Sequence, residues 1–569
     1  MKKKFFLLGL LVVGTVAQAQ KNKKAENDTI RTHSIEDVNL HKTGNPNQAK
    51  TFSTKSNLTV MENPQAISIV THEIIEQQQA KQLSDVLQNV NGVYITSSRG
   101  NSQDSFGGRG FSLGNDNIFK NGGRVNSGVF PEVSGLERVE VLKGANAMLY
   151  GNTAAGGVIN MITKKPKFNF GGALGMSAGS WNSYKPTVDI YGPLSKNAAF
   201  RVNGAYESAE SFRDIVSSKK YYFNPSFLFN LSEKSQLIVE ADYLKNDFTP
   251  DFGIGAITNA DGSYELNNKV DRNVFFGTEW QYQNVQQAST NVTFNHKFND
   301  RWSLNTIGTY QNYTKDYFSS ERIQWGYAKT SPNRLSWTRP FNKTYNESNY
   351  GSLQANLNGE FNTGKVGHKL LVGADADYNQ SDSYAYTLSA TNNVLFLDDP
   401  STWGDIAMPT SKDKDRTRAS ARRIGVYAQD FISLTKQFKV IAGLRWSYIE
   451  NMPSVKTDYT NNGSKSYVNN SKTSDQAISP KVGIVYMPND NLSVFGTYTN
   501  SFVANTGRDV ITNSTLIPTT IDQFEVGAKK NLWNNALAVN LSLYNIIYQN
   551  YYQTAQFLAD GVTAKATLP

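Results

Sequence analysis

The sequence predicts an all-β fold: an antiparallel, up-and-down transmembrane barrel preceded by a smaller α+β domain. Three observations carry this reading. About fifteen segments between Phe170 and Tyr552 alternate apolar and polar residues with a period of two. Short connections between these segments alternate with long ones, as when turns lie on one side of a membrane and loops on the other. The chain also opens with an export signal.

That signal occupies residues 1–19. Lys2, Lys3 and Lys4 precede an apolar run from Phe5 to Val13, and Ala17-Gln18-Ala19 gives an A-x-A cleavage site before Gln20. The run is shorter than the roughly 20 residues a membrane-spanning helix needs, so the expectation is a cleaved signal peptide. The exported chain has no cysteine, so neither disulfides nor thiolate metal sites hold it together. Its 39% hydrophobic content suits a barrel in which only alternate strand residues face lipid. The net charge of +9 is scattered, and an exported chain does not meet cytoplasmic DNA, so a nucleic-acid partner is set aside. Ser411 to Arg418 (SKDKDRTR), where acids interleave with bases, reads as a solvated loop.

Three textures follow the signal. Residues 20–56 are polar and poor in aromatics, a flexible arm. Residues 57–166 carry short helical and strand signals; Ile74 to Asn89 sets Ile75, Leu83, Val86 and Leu87 on one helical face. From residue 167 to 569 the period is two. In Gln236 to Tyr243 one face carries Leu237, Val239, Ala241 and Tyr243, the other Gln236, Glu240 and Asp242 with Ile238. Ala536 to Leu543 sends Leu537, Val539, Leu541 and Leu543 outward, and Phe200 to Glu207 sets Phe200, Val202 and Tyr206 against Arg201, Asn203 and Glu207. Short turns fall at Gly192 to Asn197, Leu231 to Ser235, Phe298 to Arg301, Phe361 to Gly367, Thr435 to Gln437, Pro488 to Asn491 and Leu532 to Asn535. Long loops run from about Asn246 to Gln283, Asp316 to Tyr345, Asp382 to Ser420, Glu450 to Ser474 and Ser501 to Thr520.

Arg109-Gly110-Phe111, Gly135 to Gly144 (GLERVEVLKG), Leu149-Tyr150-Gly151, Ala155 to Asn160 (AGGVIN) and Thr163 to Pro166 resemble the plug domain of TonB-dependent outer-membrane receptors, in the siderophore-receptor branch. His368 to Gly373, Gly425 to Asp430 (GVYAQD), Ala442 to Trp446, Ile478 to Tyr486 and Glu525 to Lys529 (EVGAK) resemble that family's barrel. The resemblance implies a plug in the barrel lumen, an outer-membrane location, the energy-transducing protein TonB and outer-membrane lipid as partners, and a ferric siderophore as cargo, with iron present only inside the transported chelate and no resident cofactor. It also implies that the complete receptor is a monomer whose barrel has 22 strands. With about fifteen strands counted and no terminal aromatic strand, the chain reads as C-terminally truncated. Cobalamin, another metal chelate or a glycan stays open as cargo, as does a non-functional fragment; a passive porin would lack the plug.

The same resemblance implies that plug arginines Arg109 and Arg138 pair with the inner wall, where Glu525 matches the E-x-G-x-K segment. Alternation independently turns Glu525 and Lys529 inward, because Phe524, Val526 and Ala528 form the apolar face. The alternative makes Glu525 one of many water-exposed lumen carboxylates, with Glu207, Glu240 and Asp242. In the arm, Ser34, Ile35, Glu36, Asp37, Val38, Asn39 and Leu40 form the candidate TonB-interacting segment, gripped by strand addition. Arg99 and the loop aromatics Trp325, Tyr327, Trp337, Tyr384 and Tyr386 are candidates for an outer cup around an anionic chelate. The five histidines all lie outside the long loops, which argues against haem. H-E-x-x-H does not occur, and no catalytic residue is assigned.

Overall fold

The computed structural model describes residues 46–56, 58–99, 103–125, 131–328, 331–391, 393–469, 472–505, 516–551, 553–557 and 564–568. Seventeen strands join in one barrel sheet whose order follows the chain. Two of them, Ser454–Asp458 and Ser464–Asn469, form a hairpin that extends the wall outward from Ser411–Ser433. The other fifteen are the wall: Gly171–Gly179, Ser183–Ser195, Ala198–Glu210, Ser217–Ser232, Ser235–Phe248, Tyr282–Asn299, Trp302–Ser320, Phe341–Thr363, Val366–Leu388, Ser411–Ser433, Phe438–Asn451, Thr473–Asn489, Leu492–Val503, Thr519–Leu532 and Leu537–Gln549. Each wall strand is antiparallel to the next along the chain, as tight turns at one rim require.

Three wall strands, Phe341–Thr363, Val366–Leu388 and Ser411–Ser433, run 23 residues each. Crossing a bilayer takes about 9–11 residues, so they project well beyond it. Two expectations change as a result: the charged stretch Ser411 to Arg418 is strand rather than loop, and Tyr384 and Tyr386 lie on the external end of Val366–Leu388. The barrel order returns on itself, with Leu537–Gln549 neighbouring Gly171–Gly179. Gly171–Gly179 pairs with Ser183–Ser195, and Leu537–Gln549 with Thr519–Leu532. Leu174 and Leu541, facing outward from these two strands, are 82% and 65% exposed.

Three long loops build a sheet of their own outside the wall. Ala256–Thr258, Tyr264–Glu265, Gln324–Ala328, Ser331–Thr338 and Val394–Phe396 enclose a core of Ile257, Phe276, Trp325, Trp337 and Leu395. Trp325 is fully buried and its indole N–H donates to the Ile254 carbonyl at 2.8 Å. Trp325 and Trp337 therefore hold the loops together and are buried between them. Only the tertiary pairing of three distant loops reveals this.

Inside the barrel sits the α+β domain. Its five-stranded sheet runs Ile67–Thr71, Leu136–Lys143, Gly157–Thr163, Ile118–Lys120, Gly123–Arg124, with the third and fourth parallel. The single helix read over Ile74 to Asn89 is two, His72–Gln77 and Leu83–Leu87, broken where Gln79 takes φ +52°. The predicted face holds nonetheless: Ile75, Leu83, Val86 and Leu87 are all in the core with Val139 and Val141. The packed unit also takes in 46–56, which composition assigned to the arm; Asn47, Ser53 and Thr54 are buried. Two glycines fix its shape. Gly144 has φ +87°, and a Cβ there would meet the Gln523 side chain at 2.1 Å, while one at Gly157 (φ +135°) would meet the Leu142 carbonyl at 2.6 Å.

Candidate functional site

The RGF stretch is a two-residue hairpin turn. Gln103–Gly108 pairs with Phe111–Leu113, so Arg109 and Gly110 fill the turn with φ +52° and +85°. Positive φ at both positions is the type I′ geometry that twisted hairpins favour. The turn drives Arg109 against the wall. Its guanidinium lies 4.2 Å from the Tyr544 ring centroid, and Nη1 donates to Glu525 Oε2 at 2.8 Å. Glu525 Oε2 also accepts from Gln523 Nε2 at 3.0 Å, and Oε1 accepts the Ala66 N–H at 3.2 Å. Both partners are buried, Arg109 at 4% side-chain exposure and Glu525 at 0%.

One turn of strand below, Lys529 spends all three of its protons on plug carbonyls: Val60 and Asn63 at 2.6 Å and Gln65 at 2.8 Å. The glycine-rich segment is read by the same wall. The Ala145 N–H donates to Gln523 Oε1 at 3.1 Å, and the Asn146 and Ala147 N–H groups to Ser501 Oγ at 3.0 and 3.1 Å. A side chain at Gly144 would block this approach. Burial pushes the plug's Lys143, close to Arg109 and Glu525, down to about 8.

Among the described residues Arg138 pairs within the plug and not with the wall. It bonds Glu140 within the plug at 2.6 Å and donates to the Lys50 carbonyl at 3.2 Å. Arg138 and Glu140 are two apart on one strand, so they share a face, and Glu140 is 0% exposed and also takes Ser53 Oγ. The carboxylates considered as solvated alternatives are further seats. Glu240 accepts from Lys165 and from Thr163 Oγ1 at 2.6 Å, and Asp242 from Lys120. Plug Glu132 sits between Lys185 at 2.9 Å and Lys220 at 3.0 Å, which also meet Glu207 at 3.6 and 3.2 Å. Although burial opposes ionisation, Lys220 and then Lys185 hold the Glu132 carboxyl well below the usual range. Lysines in Thr163-Lys164-Lys165 and acids in a period-two strand were the available signal; which one meets which was not.

Above the plug, towards the long loops, lies a cavity of about 430 Å³. Its floor is plug: Ser112, Asp116, Asn117, Arg124, Asn152 and Thr153. Its side is wall: Tyr350, Asn379 and Arg423. Of the residues first nominated as ligand contacts, Trp325, Tyr327, Trp337, Tyr384 and Tyr386 do not line it. Tyr327 is exposed on the external sheet, Tyr384 packs on Tyr345 at 5.4 Å, and Tyr386 stacks under Lys343 at 4.8 Å. Arg99 ends the plug strand Val93–Arg99, opposite Gln103. The segment Ser34 to Leu40 lies outside the described residues. Near Lys55 the space left between plug and wall is about 40 Å³, room for a few waters. Among the described residues no three His, Asp or Glu side chains converge as metal ligands.

A transmembrane barrel whose lumen is filled by a separately folded domain, ion-paired around the wall beneath an external cavity, defines the class of plugged outer-membrane receptors. Residues 222–565 match the family TonB dependent receptor-like, beta-barrel, and residues 59–158 match the TonB-dependent Receptor Plug Domain; the chain belongs to the TonB-dependent receptors, which are outer-membrane proteins. It is similar to the metal-pseudopaline receptor of Pseudomonas aeruginosa, 26% identical over 88% of this chain and 69% of the relative. To the ferripyoverdine receptor of the same species it is 27% identical over 88% of this chain and 60% of the relative. The solved structure of the ferric-catecholate import receptor Fiu from E. coli, closed form, matches with a TM-score of 0.79 at 22% identity over 92% of this chain and 78% of that one, a likeness of fold.

Proposed function

We propose that this receptor imports a ferric siderophore across the outer membrane, with TonB supplying the energy and iron travelling only within the chelate. The observation that carries the reading is the plug itself. The plug fills the lumen and is bonded to the wall on several sides, so passage of a chelate from the cavity above requires the plug to move and energy to move it. The names of the relatives support the cargo class: ferripyoverdine and catecholate siderophore receptors recur among them. The protein is read as a monomeric receptor without enzymatic activity, exported after cleavage behind Ala19. A second reading keeps the machinery and changes the metal, since one relative is named for metal-pseudopaline.

Uptake of radiolabelled ferric siderophores by cells whose only such receptor is this one tests the proposal. Uptake should stop when the membrane potential is collapsed or Ser34 to Leu40 are deleted. Energy-independent uptake would overturn the gated mechanism, and uptake confined to cobalamin, glycans or chelates of other metals would overturn the cargo.

A further inference from the structure

The cavity above the plug has an unusual charge arrangement for a site meant to receive an anion. Three charged residues line it, Asp116, Arg124 and Arg423, and both cations are ion-paired with carboxylates. Arg124 Nη1 donates to the carbonyl and Oδ1 of Asp116, the latter at 3.1 Å, and Nη2 donates to the Tyr150 and Asn152 carbonyls at 3.0 and 3.1 Å. Arg423 Nε donates to Asp377 Oδ1 at 3.0 Å and Nη1 to Asp116 Oδ1 at 2.8 Å. Exposure completes the picture: the Arg124 and Arg423 side chains are 8% and 18% exposed, whereas Asp116 is 54% exposed. Both guanidinium bonds fall on Oδ1, and among the described residues Oδ2 accepts none. An entering molecule therefore meets a carboxylate first, with its counter-charges behind it, among the neutral donors and acceptors of Ser112, Asn117, Asn152, Thr153, Tyr350 and Asn379.

We infer that this vestibule takes chelates of low net charge, seating a cationic or hydrogen-bond-donating arm on the Asp116 carboxylate, and rejects polyanionic chelates. The inference rests on the import of iron chelates proposed above. Discrimination arises as much from repulsion of the wrong ligand as from attraction of the right one. Although burial of the group opposes ionisation, Arg124 and then Arg423 hold the Asp116 carboxyl below its ordinary range, so the charge persists wherever iron chelates form.

Uptake is compared in cells carrying the full gene for three labelled probes: a ferric tris-hydroxamate bearing a free primary amine, a neutral ferric tris-hydroxamate, and a trianionic ferric tris-catecholate. Receptor in the outer membrane is quantified in parallel. The wild type should favour the first two over the third by about tenfold or more. Asp116→Asn should narrow or invert that ratio, Asp116→Glu should keep it, and the wall variant Asn379→Asp, which leaves the arginine pairs intact, should widen it. A wild type preferring the trianionic probe, or a ratio that neither Asp116→Asn nor Asn379→Asp moves, overturns the inference while leaving chelate import standing. No uptake of any iron chelate overturns the import reading and this inference with it.

Discussion

Two places where plug meets wall, around Glu525 and around Asp116, use the same chemistry to opposite ends. At Glu525 a single carboxylate with no exposure answers an arginine, a backbone N–H and a glutamine, and Lys529 beneath it is saturated by three carbonyls. Nothing there is left to bind. At Asp116 the arginines are covered and the carboxylate is half open to a cavity. Burial makes the first a fastening, because a charge removed from water must be fully partnered. Partial exposure makes the second available, because a solvated group gives up its water to a ligand at modest cost.

The largest effect should come from breaking the fastening. Glu525→Ala strands the Arg109 cation and the Ala66 N–H, a loss of about 3–5 kcal/mol for a buried pair. Cells should admit large antibiotics that the intact outer membrane excludes, with normal amounts of assembled barrel; an unchanged antibiotic threshold would contradict the fastening. Lys529→Met removes no partner's charge but takes a donor from three plug carbonyls; Asn63 keeps the Gln65 N–H, and each of the other two costs about 1–3 kcal/mol. It should lower the denaturant midpoint for plug release by about as much as Glu525→Ala does, or a little less. Burial holds plug Lys55 down to about 7 against Asp375, which raises it, and Arg445 and Arg124, which add to the lowering. Its folded value lies below the ordinary 10.5, so the unfolded state binds more protons between these limits and plug retention should strengthen as pH rises from about 7 towards 10.5. Lys55→Met should make that profile less steep, with the plug's Lys143 contributing to what remains. Smallest is Asp116→Asn, because the covered Arg423 keeps Asp377 and Arg124 keeps the Asp116, Tyr150 and Asn152 carbonyls while the lost carboxylate is half exposed: plug retention should change by less than about 1 kcal/mol, and the antibiotic threshold should stay put.

The sequence speaks clearly about the wall and about the fastening, and hardly at all about the vestibule. Period two placed Glu525 and Lys529 in the lumen because their neighbours Phe524 and Val526 had to face lipid, and the seven short turns fall where composition put them. Arg109 was legible through the RGF turn. Arg138 misled because a plug arginine matched a pattern while its partner, Glu140, stood two residues away on the same face of its own strand. The vestibule joins Asp116, Asn152, Tyr350, Asn379 and Arg423 across more than 300 residues, and no local spacing encodes that meeting. The aromatic loops misled for a related reason. Tryptophans in long loops look like ligand contacts until three loops fold on one another and bury them.

The central claim is that the plug is held by a direct, buried partnership between Arg109 and Glu525, and a double-mutant cycle tests it most directly. Arg109→Met, Glu525→Gln and the double variant are compared for large-antibiotic entry and for the denaturant midpoint of plug release, at matched amounts of barrel. Each single change should loosen the plug, and the double should be no looser than the worse single, giving a coupling of about 2 kcal/mol or more. Additive losses, with the double variant leaking in proportion to both, would mean that the two groups act separately and that Glu525 is one more solvated carboxylate of the lumen.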